Sequence, residues 1–163
     1  MDYKRLTHTL GPCINKDSRV LILGSFPSVK SREQNFYYAN PTNRFFPVLE
    51  QLFGEACGST IEEKKQFLKK HKIALFDVIK ECSIKGSSDS SIKDVIANDI
   101  QALVDESDIQ VVFTTGSTSS KLYEKYITCN KPHISLPSTS SANARMKLDD
   151  LTNAYKIVLE YID

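Results

Sequence analysis

Four short runs of apolar, mostly β-branched residues constrain the fold of this 163-residue chain more than any other feature. They lie at residues 20–23, 73–78, 111–115 and 133–136. Because the runs are nearly continuous in apolar residues, we expect strands that are covered on both faces, which is typical of parallel sheets. Helical spacing of apolar residues marks the segments between them. This alternation predicts a three-layer α/β/α sandwich around a mainly parallel, four-stranded sheet, built by one domain over residues 1–163.

Three of the predicted helices bear on the later argument. Residues 45–53 carry an apolar stripe that stops at a glycine, which is typical of a helix end. Ser91 with Asp94 resembles a capping box and predicts a helix over residues 91–104. The spacing of apolar residues at the C-terminus predicts a last helix over residues 142–161.

Composition and charge exclude several classes of protein. The 21 Lys and Arg residues balance the 20 Asp and Glu residues to a net charge of +1, which argues against a wholly basic nucleic-acid coat. The four cysteines are widely separated and match no zinc, redox or iron–sulfur spacing, so we expect reduced thiols and neither a metal nor a cofactor. No basic leader is present, and no apolar run approaches the roughly 20 residues that span a bilayer. We therefore expect a soluble, cytoplasmic protein, which we expect to be a monomer without a membrane partner.

Four segments rich in small and hydroxyl-bearing residues are predicted to meet at one edge of the sheet. In open parallel sheets, ligands bind beyond the carboxyl ends of the strands. Backbone N–H groups and hydroxyls at helix starts suit phosphate oxygens, so this edge is typical of a site for an anionic ligand. The segments are residues 24–28, Asp77 with the loop 85–91, residues 116–118 and residues 137–141.

Residues 36–46 carry five aromatic side chains and two asparagines directly after the first of these loops. The two phenylalanines at the end of this stretch begin an amphipathic helix and are predicted to lie in the core. Tyr37 and Tyr38 are open to two interpretations, which are core packing and a platform for a flat ligand. Asn43 is either the cap of the helix or a residue that orients water or the amide edge of a substrate.

Other catalytic arrangements fit the sequence less well. His8, His71 and His133 are scattered, and we interpret each as structural or solvated. The segment after Gly116 lacks the spacing of a phosphate loop, and GSFPS lacks the GxSxG pattern of hydrolases. Asp77 ends a predicted buried strand and is open to being a catalytic carboxylate or a loop anchor.

Four segments, taken in order, resemble the successive motifs of the uracil-DNA glycosylase superfamily. They read GSFPSVKS, YYANPTNRFFPVL, DVIKECSIKGSSDSSI and LPSTSSANA. The most similar branch is that of the hypoxanthine-DNA (deoxyinosine) glycosylases, in which the last Asn of the Tyr-Tyr-Ala-His-Pro-Arg-Asn pattern is catalytic. This residue corresponds to Asn43. The mismatch-specific branch carries its catalytic Asn after the first strand, where this chain has Phe26, so the resemblance assigns catalysis to Asn43.

The resemblance and the sheet edge together assign the rest of the site. The mismatch-specific branch has a stretch similar to the second motif. An aromatic residue of that stretch, five places before its Asn, stacks on the extruded base. This aromatic residue corresponds to Tyr38. The last motif is similar to the Pro-Ser loop that presses on the DNA backbone. The implied substrate-binding residues are Gly24, Ser25, Phe26, Pro27, Ser28, Tyr38 and Asp77. The implied DNA-backbone residues are Ser87, Ser88, Pro137, Ser138, Thr139 and Ser140, with Arg44 and Arg145 as further phosphate contacts.

The activity that the resemblance implies is hydrolysis of the N-glycosidic bond of a deaminated base in DNA. Hypoxanthine is the first candidate, and uracil and xanthine are further ones, since damaged or mispaired bases leave the helix most easily. A neutral amide can hold water near the sugar carbon while backbone N–H groups of residues 24–28 stabilise the departing base. No Lys nucleophile is required, so we expect a monofunctional enzyme that leaves an abasic site.

Departures from the branch pattern keep two alternatives open. They lie at Asn40, Thr42, Phe46, Ser28 and Ser141, and they bear on base preference and turnover. The first alternative is a DNA-binding protein of the same fold without catalysis. The second is an enzyme or binding protein for free nucleotides, which the phosphate-friendly strand ends alone would support.

Overall fold

The computed structural model describes residues 2–163, which form two separate β-sheets. In chain order the strands are β1 (Lys4–Thr7), β2 (Val20–Gly24), β3 (Ile73–Asp77), β4 (Ile79–Ile84), β5 (Lys93–Ala97), β6 (Val111–Thr115) and β7 (His133–Leu136). The α-helices are α1 (Val29–Gln34), α2 (Phe45–Phe53), α3 (Ile61–Lys70), α4 (Ile100–Asp105), α5 (Ser117–Tyr126) and α6 (Leu148–Tyr155). Short 3₁₀ helices lie at Asp89–Ser91 and Lys156–Tyr161.

The larger sheet contains the four strands predicted from the apolar runs. Its order is β3, β2, β6, β7, and every neighbouring pair is parallel. The apolar residues of β2 are fully buried, because helices cover the sheet on both faces. Helix α2 packs against α6. This arrangement confirms the predicted three-layer α/β/α sandwich.

The parallel pairing brings the carboxyl ends of the strands to one edge. Gly24 at the end of β2 is level with Asp77 at the end of β3, and Thr115 of β6 is level with Leu136 of β7. The loops that follow these residues therefore gather at the same edge, as the sequence predicts.

The smaller sheet was not predicted from the sequence. Strands β1, β4 and β5 form it in the order β1, β4, β5, with antiparallel pairing throughout. The predicted helix over residues 91–104 is wrong in its first half, because residues 93–97 form β5. A bulge explains the error: Glu81 pairs with Ile96 and Ser83 with Lys93, which leaves one extra residue in β5, and Asp94 has φ 54. An extra residue breaks the strand alternation and produces a spacing of three that imitates a helix.

The C-terminal helix is shorter than predicted. Helix α6 begins at Leu148 and is followed by a 3₁₀ helix, so the predicted helix over residues 142–161 is wrong in its first six positions. Residues 142–147 form turns instead, and Arg44 binds two backbone carbonyls of this region, those of Asn143 and Met146. These contacts connect the turns at residues 142–147 to the start of α2.

Candidate active site

A polar pocket of about 270 Å³ opens at the carboxyl edge of the parallel sheet. Of the residues predicted from the sequence, it is lined by Gly24, Ser25, Phe26, Pro27, Ser28, Tyr38, Asn43, Asp77, Ser87, Ser138, Thr139 and Ser140. Four predicted residues lie outside this lining, which are Pro137, Ser88, Arg44 and Arg145. Pro137 borders a neighbouring concavity beside Gly116, and the Ser88 hydroxyl pairs with that of Ser90 at 3.0 Å. Further lining residues are Ser31, Tyr37, Asn40, Thr42, Asp89, Thr115 and Ser141.

The side chain of Asn43 is fixed through its oxygen. Oδ1 accepts hydrogen bonds from the Thr139 hydroxyl at 2.8 Å and from the Phe45 backbone N–H at 2.9 Å. The second bond satisfies an N–H at the start of α2. The N-cap of this helix is Arg44, however, so the prediction that Asn43 is the cap is wrong by one position. The two bonds engage both lone pairs of Oδ1. None of the described residues accepts a hydrogen bond from Nδ2, so Asn43 can act on a ligand as a donor.

The ring of Tyr38 is held at the pocket by stacking. Its centroid lies 3.9 Å from that of Phe45, with an interplanar angle of 14°. Burial, followed by the charge of Asp77, raises the pKa of Tyr38 well above its usual value, although a hydrogen bond with Thr115 acts in the opposite direction. The phenol is therefore neutral, and Phe45 fixes the plane in which the ring is presented.

The loop of residues 24–28 supplies donors and caps a helix. Ser25 donates from its hydroxyl to Asp89 Oδ1 at 3.0 Å. Ser28 caps α1 through its side-chain oxygen. The backbone N–H groups of Ser25, Phe26 and Ser28 donate to none of the described residues. These groups are donors that the loop can offer to a ligand.

Asp77 is buried at the end of β3 and forms a pair with His8. The distance from Asp77 Oδ2 to His8 Nε2 is 2.8 Å, and the side chains are 6% and 2% exposed. The His8 ring is enclosed by aromatic rings, with centroids 5.0 Å from Phe76 and 6.0 Å from Phe26. Sequence reasoning missed the position of His8, because no motif surrounds this residue and only the tertiary fold brings it to Asp77.

A second carboxyl group, that of Asp89, lines the same pocket. Burial raises its pKa, the hydrogen bond from Ser25 lowers it, and the charge of Asp77 raises it further. The pocket therefore carries acidic groups where a site for an anionic ligand would be expected to carry basic ones.

Arg44, which was predicted as a phosphate contact, has a structural role in the fold. Its guanidinium donates to the carbonyls of Ser140 at 2.7 Å, of Asn143 at 3.0 Å and of Met146. All of these carbonyls belong to the last motif and the turns that follow it. Arg44 therefore ties the second motif to the last motif, whereas Arg145 is exposed.

The predicted DNA-backbone residues differ in how far their hydroxyls are engaged. The buried Thr139 hydroxyl donates to Asn43, so it orients the amide. Ser138 accepts from the N–H of Ser140 at 3.1 Å, and Ser87 accepts from the N–H of Val29 at 2.8 Å. Both serine hydroxyls keep their own hydrogen for an outside acceptor.

Three of the departures from the branch pattern form one hydrogen-bonded group in the lining of the pocket. Asn40 Oδ1 accepts from the Thr42 hydroxyl at 2.8 Å, and Thr42 Oγ1 lies 3.1 Å from the Ser141 hydroxyl. The group joins the second motif to the last one. The three substitutions therefore act together in the structure.

Two kinds of feature are absent from residues 2–163. No helix in this part of the chain has both the length and the apolar character needed to cross a membrane. No three His, Cys, Asp or Glu side chains there converge to hold a metal ion. The polar groups that line the pocket are amides, hydroxyls, carboxylates and backbone groups.

The fold and the pocket define an α/β protein with its site beyond the carboxyl ends of a parallel sheet. The family model described as the uracil DNA glycosylase superfamily matches residues 12–160. The chain belongs to this superfamily.

Relatives and a solved structure agree with this membership. The chain is 33% identical over 137 residues to a hypoxanthine DNA glycosylase of Methanosarcina barkeri, covering 82% of this chain and 86% of the relative. It is 40% identical over 91 residues to a hypoxanthine DNA glycosylase of Methanosarcina acetivorans, covering 55% and 58%. The solution NMR structure of a candidate uracil DNA glycosylase from Methanosarcina acetivorans is 28% identical, with a TM-score of 0.76 over 94% of this chain and 98% of that one. The resemblance found in the motifs is thereby confirmed.

Proposed function

We propose that this protein is a DNA glycosylase that hydrolyses the N-glycosidic bond of a deaminated base in DNA and leaves an abasic site. Hypoxanthine is the first candidate base, and uracil and xanthine are further ones. The observation that carries the proposal is the pocket, in which Asn43, Asp77 and the loop of residues 24–28 surround a volume of about 270 Å³. Ligand sites of this size are small, which suits one extruded base. The name of the Methanosarcina barkeri relative supports hypoxanthine as the first candidate.

The chemistry follows from the groups that face the pocket. Cleavage builds positive charge on the sugar and negative charge on the departing base. Asn43 Nδ2 donates to the oxygen of a water molecule and holds it near the sugar carbon. The water oxygen bonds to that carbon as the glycosidic bond breaks, and the electron pair of the broken bond stays on the base nitrogen. The proton lost by the water is taken up by the departing base. The N–H groups of Phe26 and Ser28 stabilise the base as it leaves.

The lining of the pocket supports a monofunctional enzyme. Among the described residues that line it, none is a lysine, and an amine nucleophile is needed for Schiff-base chemistry that would also cut the strand. Ser87, Ser138 and Arg145 serve as contacts for the DNA backbone, with affinity that falls as salt rises. The protein acts as a monomer in the cytoplasm, a compartment that suits its four free cysteines.

Excision from defined duplexes tests this proposal. Duplexes containing deoxyinosine, deoxyuridine or deoxyxanthosine are incubated with the protein, treated with alkali and examined for strand breaks at the abasic site. We expect Asn43→Ala to lose about 10²-fold or more in single-turnover rate, by analogy with removal of one preorganised polar group, and to keep its affinity for DNA.

Asn130→Ala is the matched control, because it removes an exposed amide outside the pocket. Its excision rate should equal that of the unaltered protein. Absence of strand breaks for every deaminated base would refute the enzymatic proposal, and retained DNA binding would then favour the non-catalytic alternative. Full activity in Asn43→Ala would refute only the catalytic role of Asn43 and would leave the proposed activity standing.

A further inference from the structure

The pocket does not contain the cations that attract a DNA strand. Two of its lining residues, Asp77 and Asp89, carry carboxyl groups, and none of the described lining residues is a lysine or an arginine. The guanidinium of Arg44 is engaged with backbone carbonyls of the last motif and of the turns that follow it. Because each DNA strand carries one phosphate per about 3.4 Å of helix axis, cations beside the pocket have to meet the flanking phosphates.

One cluster of cations lies on the smaller sheet, at the end that adjoins the pocket loop 85–91. The Nζ atoms of Lys93 and Lys85 lie 3.8 Å and 4.7 Å from the centroid of the Tyr3 ring. All three residues are exposed. The pairing of Lys4 with Ile84 in β1 and β4 places Tyr3 opposite Lys85, just beyond the paired strands. We call these three residues, Tyr3, Lys85 and Lys93, the Tyr3 cluster.

The two ammonium groups of the Tyr3 cluster have no anionic partner among residues 2–163. Neither Lys85 nor Lys93 forms an ion pair with a carboxylate of this part of the chain. Arg5, two residues from Tyr3, differs, because it pairs with Glu81 at 2.8 Å and donates to the carbonyl of residue 94. An aromatic ring attracts each ammonium but does not neutralise it, so an anion between the two lysines would relieve their repulsion.

A short, closed loop joins the Tyr3 cluster to the pocket. Lys85 is two residues from Ser87, which lines the pocket, and two residues span at most about 7 Å. The Ser91 hydroxyl closes the loop, since it accepts from the N–H of Lys85 at 2.9 Å and donates to the carbonyl of Ser88 at 2.7 Å. A strand whose base occupies the pocket can therefore reach the cluster with a phosphate a few nucleotides away.

We propose that Lys85 and Lys93, held together by the ring of Tyr3, bind a phosphate of the DNA strand that flanks the extruded nucleotide. The lysines supply the charge, and Tyr3 is their positioning residue. This inference rests on the proposed function for its ligand, and it extends the DNA contact from the pocket onto the smaller sheet.

The salt dependence of DNA binding tests the inference without requiring excision. Affinities for an undamaged duplex and for one that contains deoxyinosine are measured by fluorescence anisotropy over a range of salt concentrations. The double variant Lys85→Gln/Lys93→Gln should reduce the slope of log affinity against log salt by about 1 to 2, because each neutralised phosphate contributes about 0.9. Its affinity at low salt should fall about 3- to 20-fold, as expected for the loss of two exposed ion pairs.

The double variant Lys125→Gln/Lys131→Gln is the matched control, because it removes the same charge at the opposite edge of the parallel sheet. Lys125 lies near the end of α5, and Lys131 lies just before β7 begins. The Nζ atom of Lys125 also lies on an exposed ring, 5.1 Å from the centroid of Tyr126. The salt slope of this control should equal that of the unaltered protein.

Variants of Tyr3 separate the ring from the lysines. Tyr3→Leu releases both ammonium groups and should lower the affinity about 2- to 5-fold, which corresponds to the loss of an exposed cation–π contact. Tyr3→Phe keeps the ring and should retain the affinity of the unaltered protein. Thermal melting confirms that each variant is folded. Unchanged affinity in folded Tyr3→Leu would overturn the role of Tyr3.

Neutral methylphosphonate linkages locate the bound phosphate. One linkage at a time is replaced along the strand that carries deoxyinosine, and affinities are measured in the Asn43→Ala background so that no base is released. At least one replacement near the target should weaken binding. The same replacement should have no effect when Lys85 and Lys93 are both changed to Gln, because the contact has already been removed.

The outcomes distinguish this inference from the proposed function. Equal slopes in the two double variants would overturn the inference, and so would a linkage scan that is the same with and without the two lysines. If DNA binding depends on the cluster but no deaminated base is excised, the proposed function fails and the inference stands. If hypoxanthine is excised and the slope is independent of the lysines, only the inference is overturned.

Discussion

Two histidine–carboxylate pairs in this protein have similar geometry and different surroundings. His8 Nε2 lies 2.8 Å from Asp77, and His71 Nε2 lies 2.6 Å from Glu55. The first pair is 2% and 6% exposed and includes Asp77 of the pocket lining, whereas the second is 16% and 34% exposed and lies at the end of α3. Glu55 also contacts Lys70. Water can replace a lost partner in the second pair but not in the first, so the same hydrogen bond differs in its consequences.

The largest expected effect breaks the buried pair. His8→Ala leaves Asp77 without its partner and empties a space between aromatic rings, so it should destabilise the protein by about 3–5 kcal/mol. His71→Ala should cost about 1 kcal/mol, because Glu55 keeps both solvent and Lys70. Urea unfolding followed by circular dichroism measures both values. Equal losses in the two variants would show that burial does not distinguish the pairs.

A smaller effect is expected from crowding the buried carboxylate. In Gly24→Ala the new Cβ would meet Asp77 Oδ1 at 2.6 Å, and His8 prevents the carboxylate from moving away freely. We expect a loss of about 1–3 kcal/mol in stability and of about tenfold in hypoxanthine excision. Gly11→Ala is the control: nothing lies within 4 Å of its Cβ, and its φ of +71° predicts a backbone cost of about 1–2 kcal/mol without loss of excision. Unchanged excision in Gly24→Ala would argue against a tight fit at Oδ1.

The smallest expected effects concern the dependence of the free energy of unfolding on pH. They have opposite signs at Glu55, in the exposed pair, and at Asp89, in the pocket. Hydrogen bonds from Lys70 and His71 lower the pKa of Glu55 below its unfolded value, so its contribution to stability is present at neutral pH and is lost as the pH falls through the folded pKa. Burial, in contrast, raises the pKa of Asp89. Ionised Asp89 therefore lowers the free energy of unfolding, and this loss disappears when the group is protonated in acid. Glu55→Gln should therefore destabilise the protein at about pH 7, and Asp89→Asn should stabilise it.

Unfolding free energies of both variants measured from about pH 7 down to about pH 3 test these signs, because both differences should shrink on acidification. A stabilising effect of Asp89→Asn that grows in acid would contradict the assigned pKa shift. The two variants thus compare a solvated carboxylate with one at the pocket.

The parallel sheet could be predicted because its signal is local. Runs such as residues 20–23 are apolar throughout, since both faces of the sheet are covered. Strand β5 could not be predicted in the same way, because one of its faces meets solvent and the bulge at Asp94 disrupts its alternation. The start of α6 was misplaced for a tertiary reason, which is that Arg44 binds backbone carbonyls in residues 142–147.

The candidate site was predictable as far as its motifs extend. Asn43 and Tyr38 line the pocket beside the loop of residues 24–28, as their motifs indicate. Whether these residues perform the predicted roles stays a prediction that the variants above test. His8 could not be found from the sequence, because it lies 69 positions from Asp77 and in no motif. Asp89 belongs to a serine-rich loop that was expected to favour anions, and the loop alone does not reveal that its carboxyl group faces the pocket.

The contacts of Arg44 also affect how a ligand binds to the segment that Arg44 holds. One guanidinium binds the carbonyls of Ser140, Asn143 and Met146. The irregular segment of residues 140–146 is therefore ordered when the protein folds and not when a ligand binds. The conformational entropy of the segment is therefore lost before any encounter takes place. We therefore expect this segment to bind a ligand without rearrangement, at a rate set by diffusion and charge rather than by a slow internal step.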